Sequence, residues 1–236
     1  MKFYSVSDYD ALCRKAAALI SAQIHVKPGS AIAWPTGSTP VGVYAKLVDL
    51  YQRGELDFSQ IKSFNLDEYL GLSNTAPQSF AVFMDEQLFS KVNIPVERRY
   101  MPNATVADIS AECTRYEALI DEAGGLDLVF LGIGTNGHIA FNEPEPTFSI
   151  MTHCANLSEG SIQACANAFG GVDKVPRQAI TMGIKTIMRA KKILLTANGP
   201  GKKDIMHRSF YEPITPDVPA SILQLHPDLT VVWSDN

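Results

Sequence analysis

The sequence predicts a doubly wound α/β fold, in which a mainly parallel sheet is sandwiched by helices. Short apolar runs alternate along the chain with stretches in which apolar residues recur every three or four positions. The run over residues 126–131 is almost wholly apolar, which is typical of a strand buried on both faces of a parallel sheet. No linker, repeat or low-complexity tract interrupts this alternation. We therefore expect a single domain over residues 1–236.

Each element follows from these patterns. The predicted elements are, in chain order, a helix over 8–23, a strand over 31–34, a helix over 41–51, a strand over 61–66, helices over 107–123 and 158–168 separated by the strand over 126–131, a strand over 192–197 leading into another helix, and a strand over 230–233. The helix over 41–51 is preceded by hydroxyl residues and a proline. Ser38 or Thr39 is its expected N-cap, with Pro40 in the first helical position.

Composition excludes several classes of function. The chain has 236 residues, of which 46% are hydrophobic, so it can bury a full core. Its net charge of −5 gives no general attraction to nucleic acid or to an anionic membrane, and no apolar run is long enough to span a bilayer. The four cysteines are scattered without a Cys-x-x-Cys pair, and we interpret them as reduced packing residues of a cytoplasmic protein.

The most informative segment, residues 132–144, directly follows the apolar run over 126–131. It carries the amide of Asn136, the imidazole of His138 and the carboxylate of Glu143 between glycines that permit tight turns. Histidine moves protons near neutral pH, and a nearby carboxylate or amide can fix its tautomer. A lone histidine in such a turn is more often merely solvated. Two further motifs favour a catalytic site.

One of these is a hydroxyl-rich turn between a predicted strand and a predicted helix. It consists of Thr36, Gly37, Ser38 and Thr39. The free N–H groups and positive dipole end of a helix N-terminus suit an anion such as phosphate. A simple capped helix explains the same residues, and the two interpretations are compatible.

The other motif is a pair of carboxylates, Asp67 and Glu68, at the carboxyl end of the predicted strand over 61–66. Paired carboxylates at the end of a strand can supply a general base. A carboxylate that starts a helix or a turn is the alternative. Three polar motifs at three strand ends point to one site, because ligands of open α/β sheets bind beyond the carboxyl ends of the strands.

Together these motifs resemble the glucosamine-6-phosphate deaminases, also called glucosamine-6-phosphate isomerases. The similar segments are residues 35–40, 64–69, 132–144, 175–176, 179–183 and 219–227, in order along essentially the whole chain. The resemblance implies a Rossmann-like sandwich and an enzyme of amino-sugar catabolism in the cytoplasm. Its substrate would be a hexosamine 6-phosphate, converted to a ketose 6-phosphate and ammonia without a metal or an organic cofactor.

The resemblance also implies catalytic roles. It makes Asp67 the base that takes the C2 proton of the open-chain sugar. It gives ring opening to His138, held by Glu143 and Asn136. Many members of the family carry aspartate where this chain has Asn136, and a neutral amide stabilises an imidazolium less than a carboxylate does.

For the phosphate group, the resemblance implies the turn at residues 36–39 together with Lys202, which is otherwise interpreted as a solvated surface lysine. Members of the family typically add an arginine, but an ungapped comparison puts Asn167 in its place. Arg177 and Arg208 are the candidates to replace it. The galactosamine-6-phosphate deaminase/isomerase branch can also lack that arginine, so the configuration at C4 of the sugar stays open.

Two other functions remain as alternatives. A 6-phosphogluconolactonase-like hydrolase would use a similar phosphate turn and histidine, but the contexts of Asp67 and Glu143 disfavour it. A non-catalytic sugar-phosphate sensor would not need these carboxylates. As partners we expect only the small-molecule sugar phosphate, no nucleic acid and no membrane, with the chain a monomer or a small homo-oligomer.

Overall fold

The computed structural model describes residues 1–236. Its strands are β1 (Lys2–Ser5), β2 (Ala31–Trp34), β3 (Lys62–Asn65), β4 (Asp67–Tyr69), β5 (Arg99–Tyr100), β6 (Leu128–Leu131), β7 (His153–Asn156), β8 (Gln178–Thr181), β9 (Ile193–Asn198) and β10 (Leu229–Ser234). Its α-helices are α1 (Tyr9–Val26), α2 (Val41–Gln52), α3 (Phe80–Gln87), α4 (Ile109–Glu122), α5 (Glu159–Phe169), α6 (Ile184–Met188) and α7 (Lys203–Tyr211). None of these helices is both long and apolar enough to cross a membrane.

Seven strands form a parallel sheet in the order β1-β10-β9-β6-β2-β3-β5. β3 and β5 extend the sheet on one side of β2, whereas β6, β9 and β10 extend it on the other side. The order in which strands are added therefore reverses at the boundary between β2 and β6. Sheets of this kind bind ligands outside the carboxyl ends of the strands, at such a switch point. The topology confirms the predicted doubly wound, mainly parallel α/β fold.

Both faces of this sheet are covered by apolar side chains. In β2, Ala31 and Ala33 pack into one cluster of 26 buried residues, whereas Ile32 and Trp34 pack into another of 24. Successive side chains of a strand point to opposite faces, so a strand buried on both faces has no polar alternation. This is why β2 and β6 could be predicted from their apolar runs.

A second, three-stranded antiparallel sheet, in the order β4-β8-β7, was not predicted. Only Leu66 separates β3 from β4, so the predicted strand over 61–66 ends and the chain enters a different sheet almost at once. The side chain of Tyr69 packs against Phe80 and Phe141, with ring centroids 4.5 and 5.6 Å away. The small sheet is therefore fixed over the carboxyl edge of the large one.

The helix starts were predicted with mixed success. Ser158 caps α5 by accepting a hydrogen bond from the backbone N–H of Ser161. The expectation that Ser38 or Thr39 caps α2 is wrong, because Pro40 is the N-cap residue and makes no side-chain bond. Instead, the Tyr9 hydroxyl accepts a hydrogen bond from Gly42 N at 2.9 Å, so a distant residue satisfies one N–H group of this helix end.

Candidate active site

Four consecutive strands of the large sheet, β9, β6, β2 and β3, lead into the segments that the sequence singled out. Residues 132–143 follow β6, and the turn at residues 36–39 follows β2. Asp67 comes shortly after β3, and Lys202 comes shortly after β9. Because the carboxyl ends of parallel strands meet at one edge of a sheet, these segments lie side by side.

Asp67 is a buried carboxyl at the start of β4, with an exposed fraction of 5%. Its partner in the adjacent strand is Thr181, whose hydroxyl accepts a hydrogen bond from Phe141 N at 3.0 Å. The small sheet thereby ties Asp67 to the segment that contains His138. Burial, followed by the negative charge of Glu68, raises the pKa of Asp67 to about 8. The Asp67 carboxylate is therefore far more basic than an ordinary aspartate.

Glu68 is also buried, and burial raises its pKa, but its partners give it a structural role. Its two oxygens accept hydrogen bonds from the backbone N–H groups of Tyr69, Phe80 and Ala81 at 2.9–3.0 Å. Phe80 and Ala81 form the first turn of α3, where free N–H groups and the helix dipole favour a negative charge. Neither carboxylate starts a helix, since both lie in β4, but the Glu68 side chain accepts hydrogen bonds from the start of α3.

The backbone of residues 132–143 is shaped to carry His138. The His138 ring lies so close to Gly134 that a Cβ atom there would collide with it, so only glycine fits. Gly137 has φ +92°, a left-handed conformation that favours glycine. Ala140 has φ +51°, which costs free energy for a residue with a side chain and is typical of functional sites.

The side chains of Asn136, His138 and Glu143 form one connected group. The Asn136 amide donates a hydrogen bond to Glu143 Oε2 at 2.7 Å, and its oxygen accepts one from His138 N at 3.1 Å. His138 Nδ1 lies 3.3 Å from the same Glu143 oxygen. The carboxylate therefore orients the imidazole through Nδ1 and leaves Nε2 free for a ligand. Asn136 contacts the carboxylate directly but reaches His138 only through its backbone.

Glu143 is a buried carboxylate with many donors. Burial by itself would raise its pKa, but the hydrogen bond and charge of His138 and the hydrogen bonds from Ser161 and Asn136 lower the pKa to about 2. Glu143 thus stays ionised at neutral pH. It can stabilise an imidazolium, and His138 can both accept and return a proton.

The two segments expected to hold phosphate have different surroundings. The turn at residues 36–39 bends at Gly37, with φ +97°, and its side chains are exposed or half-buried at the carboxyl end of β2. Lys202 is half-buried at the N-cap of α7, and its ammonium donates a hydrogen bond to Ile133 O at 2.7 Å. Burial lowers the pKa of Lys202. Lys202 is therefore held against the segment after β6 and is no freely solvated lysine.

The structure gives different surroundings to the three positions considered for the family's phosphate-binding arginine. Asn167 is exposed on α5. Arg177 forms an exposed ion pair with Glu159 at 3.3 Å. Arg208 is half-buried on α7, the helix that Lys202 caps, and has no carboxylate partner. One important neighbour was missed by the sequence analysis: Ser161, on the first turn of α5, whose hydroxyl donates a hydrogen bond to Glu143.

The fold and these side chains define a doubly wound α/β protein with a candidate small-molecule site at the carboxyl edge of its sheet. The paired imidazole and carboxylate, the basic aspartate and the half-buried lysine suit acid–base chemistry on an anionic compound. The chain belongs to the family described as glucosamine-6-phosphate isomerases/6-phosphogluconolactonase, whose model matches residues 7–233.

Relatives within this family are similar over nearly their whole length. The chain is 53% identical to a glucosamine-6-phosphate deaminase of Lachnoclostridium phytofermentans, with 98% of both chains covered. It is 48% identical to one of Clostridioides difficile, over 98% of this chain and 93% of that protein. The solved structure of a monomeric glucosamine-6-phosphate deaminase superposes with a TM-score of 0.96 at 40% identity, covering 99% of this chain and 97% of that chain.

A more distant likeness extends to another activity. The crystal structure of a 6-phosphogluconolactonase from Thermotoga maritima superposes with a TM-score of 0.78, covering 100% of this chain and 99% of that chain. Its sequence identity is 22%. At this level the two proteins share the fold, and the function has to be argued from the side chains of the site.

Proposed function

We propose that this chain, as a single domain over residues 1–236, is a hexosamine-6-phosphate deaminase and isomerase. Its substrate would be glucosamine 6-phosphate, and its products fructose 6-phosphate and ammonia. The observation that carries the proposal is the pairing of His138 with Glu143 at one strand end and the basic, buried Asp67 at a nearby one. The relatives at 53% and 48% identity, both glucosamine-6-phosphate deaminases, support the glucosamine configuration.

Ring opening is the first chemical step that the site can perform. The pyranose opens when a proton leaves the C1 hydroxyl and one is delivered to the ring oxygen. His138 can do both through Nε2, since its Nδ1 faces the ionised Glu143. Acid–base catalysis of this kind contributes on the order of 10²- to 10⁴-fold.

Proton transfer and loss of ammonia follow on the open-chain sugar. Asp67 takes the C2 proton while the C1 carbonyl oxygen gains a proton from the substrate's own ammonium group, which gives a neutral enolamine. Asp67 then returns its proton to C1, which gives the protonated C2 ketimine. Water then adds to C2 and ammonia leaves, so water supplies the new carbonyl oxygen and neither a metal nor an organic cofactor is required. The raised pKa of Asp67 suits the weakly acidic C–H bond. A protonated amino group on the bound substrate would help the Asp67 carboxyl to ionise.

The phosphate group would bind the turn at residues 36–39 and the ammonium of Lys202. Both follow strands that end at the same edge of the sheet as Asp67 and His138. A helix N-terminus and a lysine are common partners of phosphate. We propose Arg208, whose guanidinium has no carboxylate partner, as the replacement for the family's arginine, in preference to the paired Arg177.

The proposal extends to the setting of the enzyme. The four cysteines are free thiols, which is typical of a reducing compartment, so we propose that the chain acts in the cytoplasm. Because the monomeric deaminase superposes over nearly its whole length, we also propose that a monomer suffices for activity.

The test is to offer the protein glucosamine 6-phosphate, galactosamine 6-phosphate and 6-phosphogluconolactone in parallel. Ammonia and ketose phosphate are measured for the first two and acid release for the third. We expect ammonia and fructose 6-phosphate from glucosamine 6-phosphate. Preference for galactosamine 6-phosphate would assign the opposite C4 configuration to the substrate. Lactone hydrolysis without ammonia release would refute the proposal.

A further inference from the structure

The carboxylate of Glu143 divides its two oxygens between two sets of partners. Oε2 faces the Asn136 amide at 2.7 Å and His138 Nδ1 at 3.3 Å. Oε1 faces the first turn of α5, where it accepts a hydrogen bond from the Ser161 hydroxyl at 2.5 Å and one from Ser158 N at 3.3 Å. A helix start thus holds Oε1, while Oε2 faces the imidazole.

Ser161 is the central donor in this arrangement. Its exposed fraction is 7%, and its hydroxyl accepts a hydrogen bond from the Ser158 hydroxyl at 3.1 Å while donating to Glu143. Two hydroxyls in series, together with the positive end of α5, therefore stabilise the negative charge of Glu143. The Ser161 oxygen also lies 3.5 Å from His138 Nδ1, so it closes the group around the imidazole.

We infer that Ser161 is a positioning residue, which acts through Glu143 on the proton affinity of His138. This inference rests on the proposed function. The Ser161 hydrogen bond is one of the interactions that lower the pKa of Glu143. Without it, the carboxylate becomes more basic and keeps only the Asn136 amide, the Ser158 N–H and His138 as partners, so the imidazolium is favoured more strongly. The imidazole would then hold its proton at a pH where ring opening requires it to accept one.

The test compares Ser161→Ala with Ser161→Thr, which keeps the hydroxyl. The titration of His138 is followed by NMR of ¹⁵N-histidine-labelled protein without substrate, with His138→Gln used to assign the signal. We expect the midpoint to move to higher pH in Ser161→Ala and to return towards its original position in Ser161→Thr. Loss of a partner that orients a metal-bound histidine typically costs about 10- to 100-fold in activity, and we expect a similar loss for this histidine. We expect that loss in kcat, with KM little changed.

A matched control separates the hydroxyl from the helix. Ala164→Gly loosens α5 at an exposed position and removes no donor. An unmoved midpoint in Ser161→Ala, or an equal movement in Ala164→Gly, would overturn the inference even if the wild-type protein releases ammonia. If the wild-type protein forms no ammonia while the midpoint still depends on Ser161, the proposed function fails instead.

Discussion

Replacing Asp67 with asparagine is expected to stabilise the fold while it removes the proposed base. Burial raises the pKa of this carboxyl from 3.8 to about 8. Between these two values the unfolded chain releases a proton that the folded protein retains, so the free energy of unfolding falls as pH rises. One pKa unit corresponds to about 1.4 kcal/mol. The penalty at pH 7 is therefore at most about 4 kcal/mol, and asparagine does not carry it.

Urea unfolding of the wild type and Asp67→Asn, measured from pH 4 to pH 7.5, tests this reasoning. The gain in stability of Asp67→Asn should be small at pH 4 and grow steadily towards neutral pH. Asp57→Asn is the control, because Asp57 is an exposed carboxyl whose pKa is lowered by hydrogen bonds from Asn93 and Ser59, so its loss should bring no such gain. A difference between Asp67→Asn and wild type that does not change with pH would refute the assignment of a retained proton to Asp67.

The same variant tests the chemistry. If Asp67 is the base, Asp67→Asn should still bind the hexosamine 6-phosphate but should no longer exchange the C2 proton with solvent. Exchange is followed by NMR in deuterated water. Continued exchange at the wild-type rate would assign the base to another residue.

Four further substitutions probe the remaining groups. His138→Gln should react slowly with the cyclic sugar and be much less impaired on the open-chain form. Glu143→Gln should show a milder form of the same defect. Reaction rates measured against the fraction of open-chain sugar distinguish ring opening from later steps. Lys202→Ala should weaken binding of the phosphorylated sugar by about 1.5–3 kcal/mol and leave the weaker binding of the free sugar nearly unchanged, as calorimetry can show; equal losses would place Lys202 away from the phosphate. Asn136→Asp should set a second carboxylate against Glu143, where the amide now donates at 2.7 Å, and should move the acid limb of the pH–rate profile to higher pH. An unmoved pH–rate profile would exclude electrostatic coupling between residue 136 and the catalytic histidine.

Five of the seven strands of the large sheet could be predicted, because they lie in short runs that are mostly buried. The edge strands β1 and β5 were not predicted, since their residues are polar or only partly buried. β2 was predicted with the bounds that it has, and β9 and β10 to within about one residue at each end. β4 could not be predicted in this way. Its sequence, Asp67-Glu68-Tyr69, is polar and only three residues long, and its conformation depends on pairing with β8, more than 100 residues later in the chain.

The candidate site shows the same limit. Asn136, His138 and Glu143 are close in sequence, so their grouping could be expected from one loop. Ser161 could not be connected with them, because a serine three residues after the N-cap Ser158 is ordinary in a helix start. Its role depends on how α5 docks against Glu143, which is a tertiary contact.

The two carboxylates that the site brings to one edge of the sheet have opposite electrostatic environments, and this difference assigns their roles. Asp67 is buried beside another carboxylate, which raises its pKa to about 8. Glu143 is also buried, but donors on both of its oxygens and the imidazole lower its pKa to about 2. Glu143 therefore contributes stability above about pH 4.5 that is lost as pH falls towards 2, whereas the Asp67 penalty develops as pH rises. Of these two carboxylates, only Asp67 can readily exchange a proton at neutral pH, so burial and donors define one as a base and the other as a fixed counter-charge.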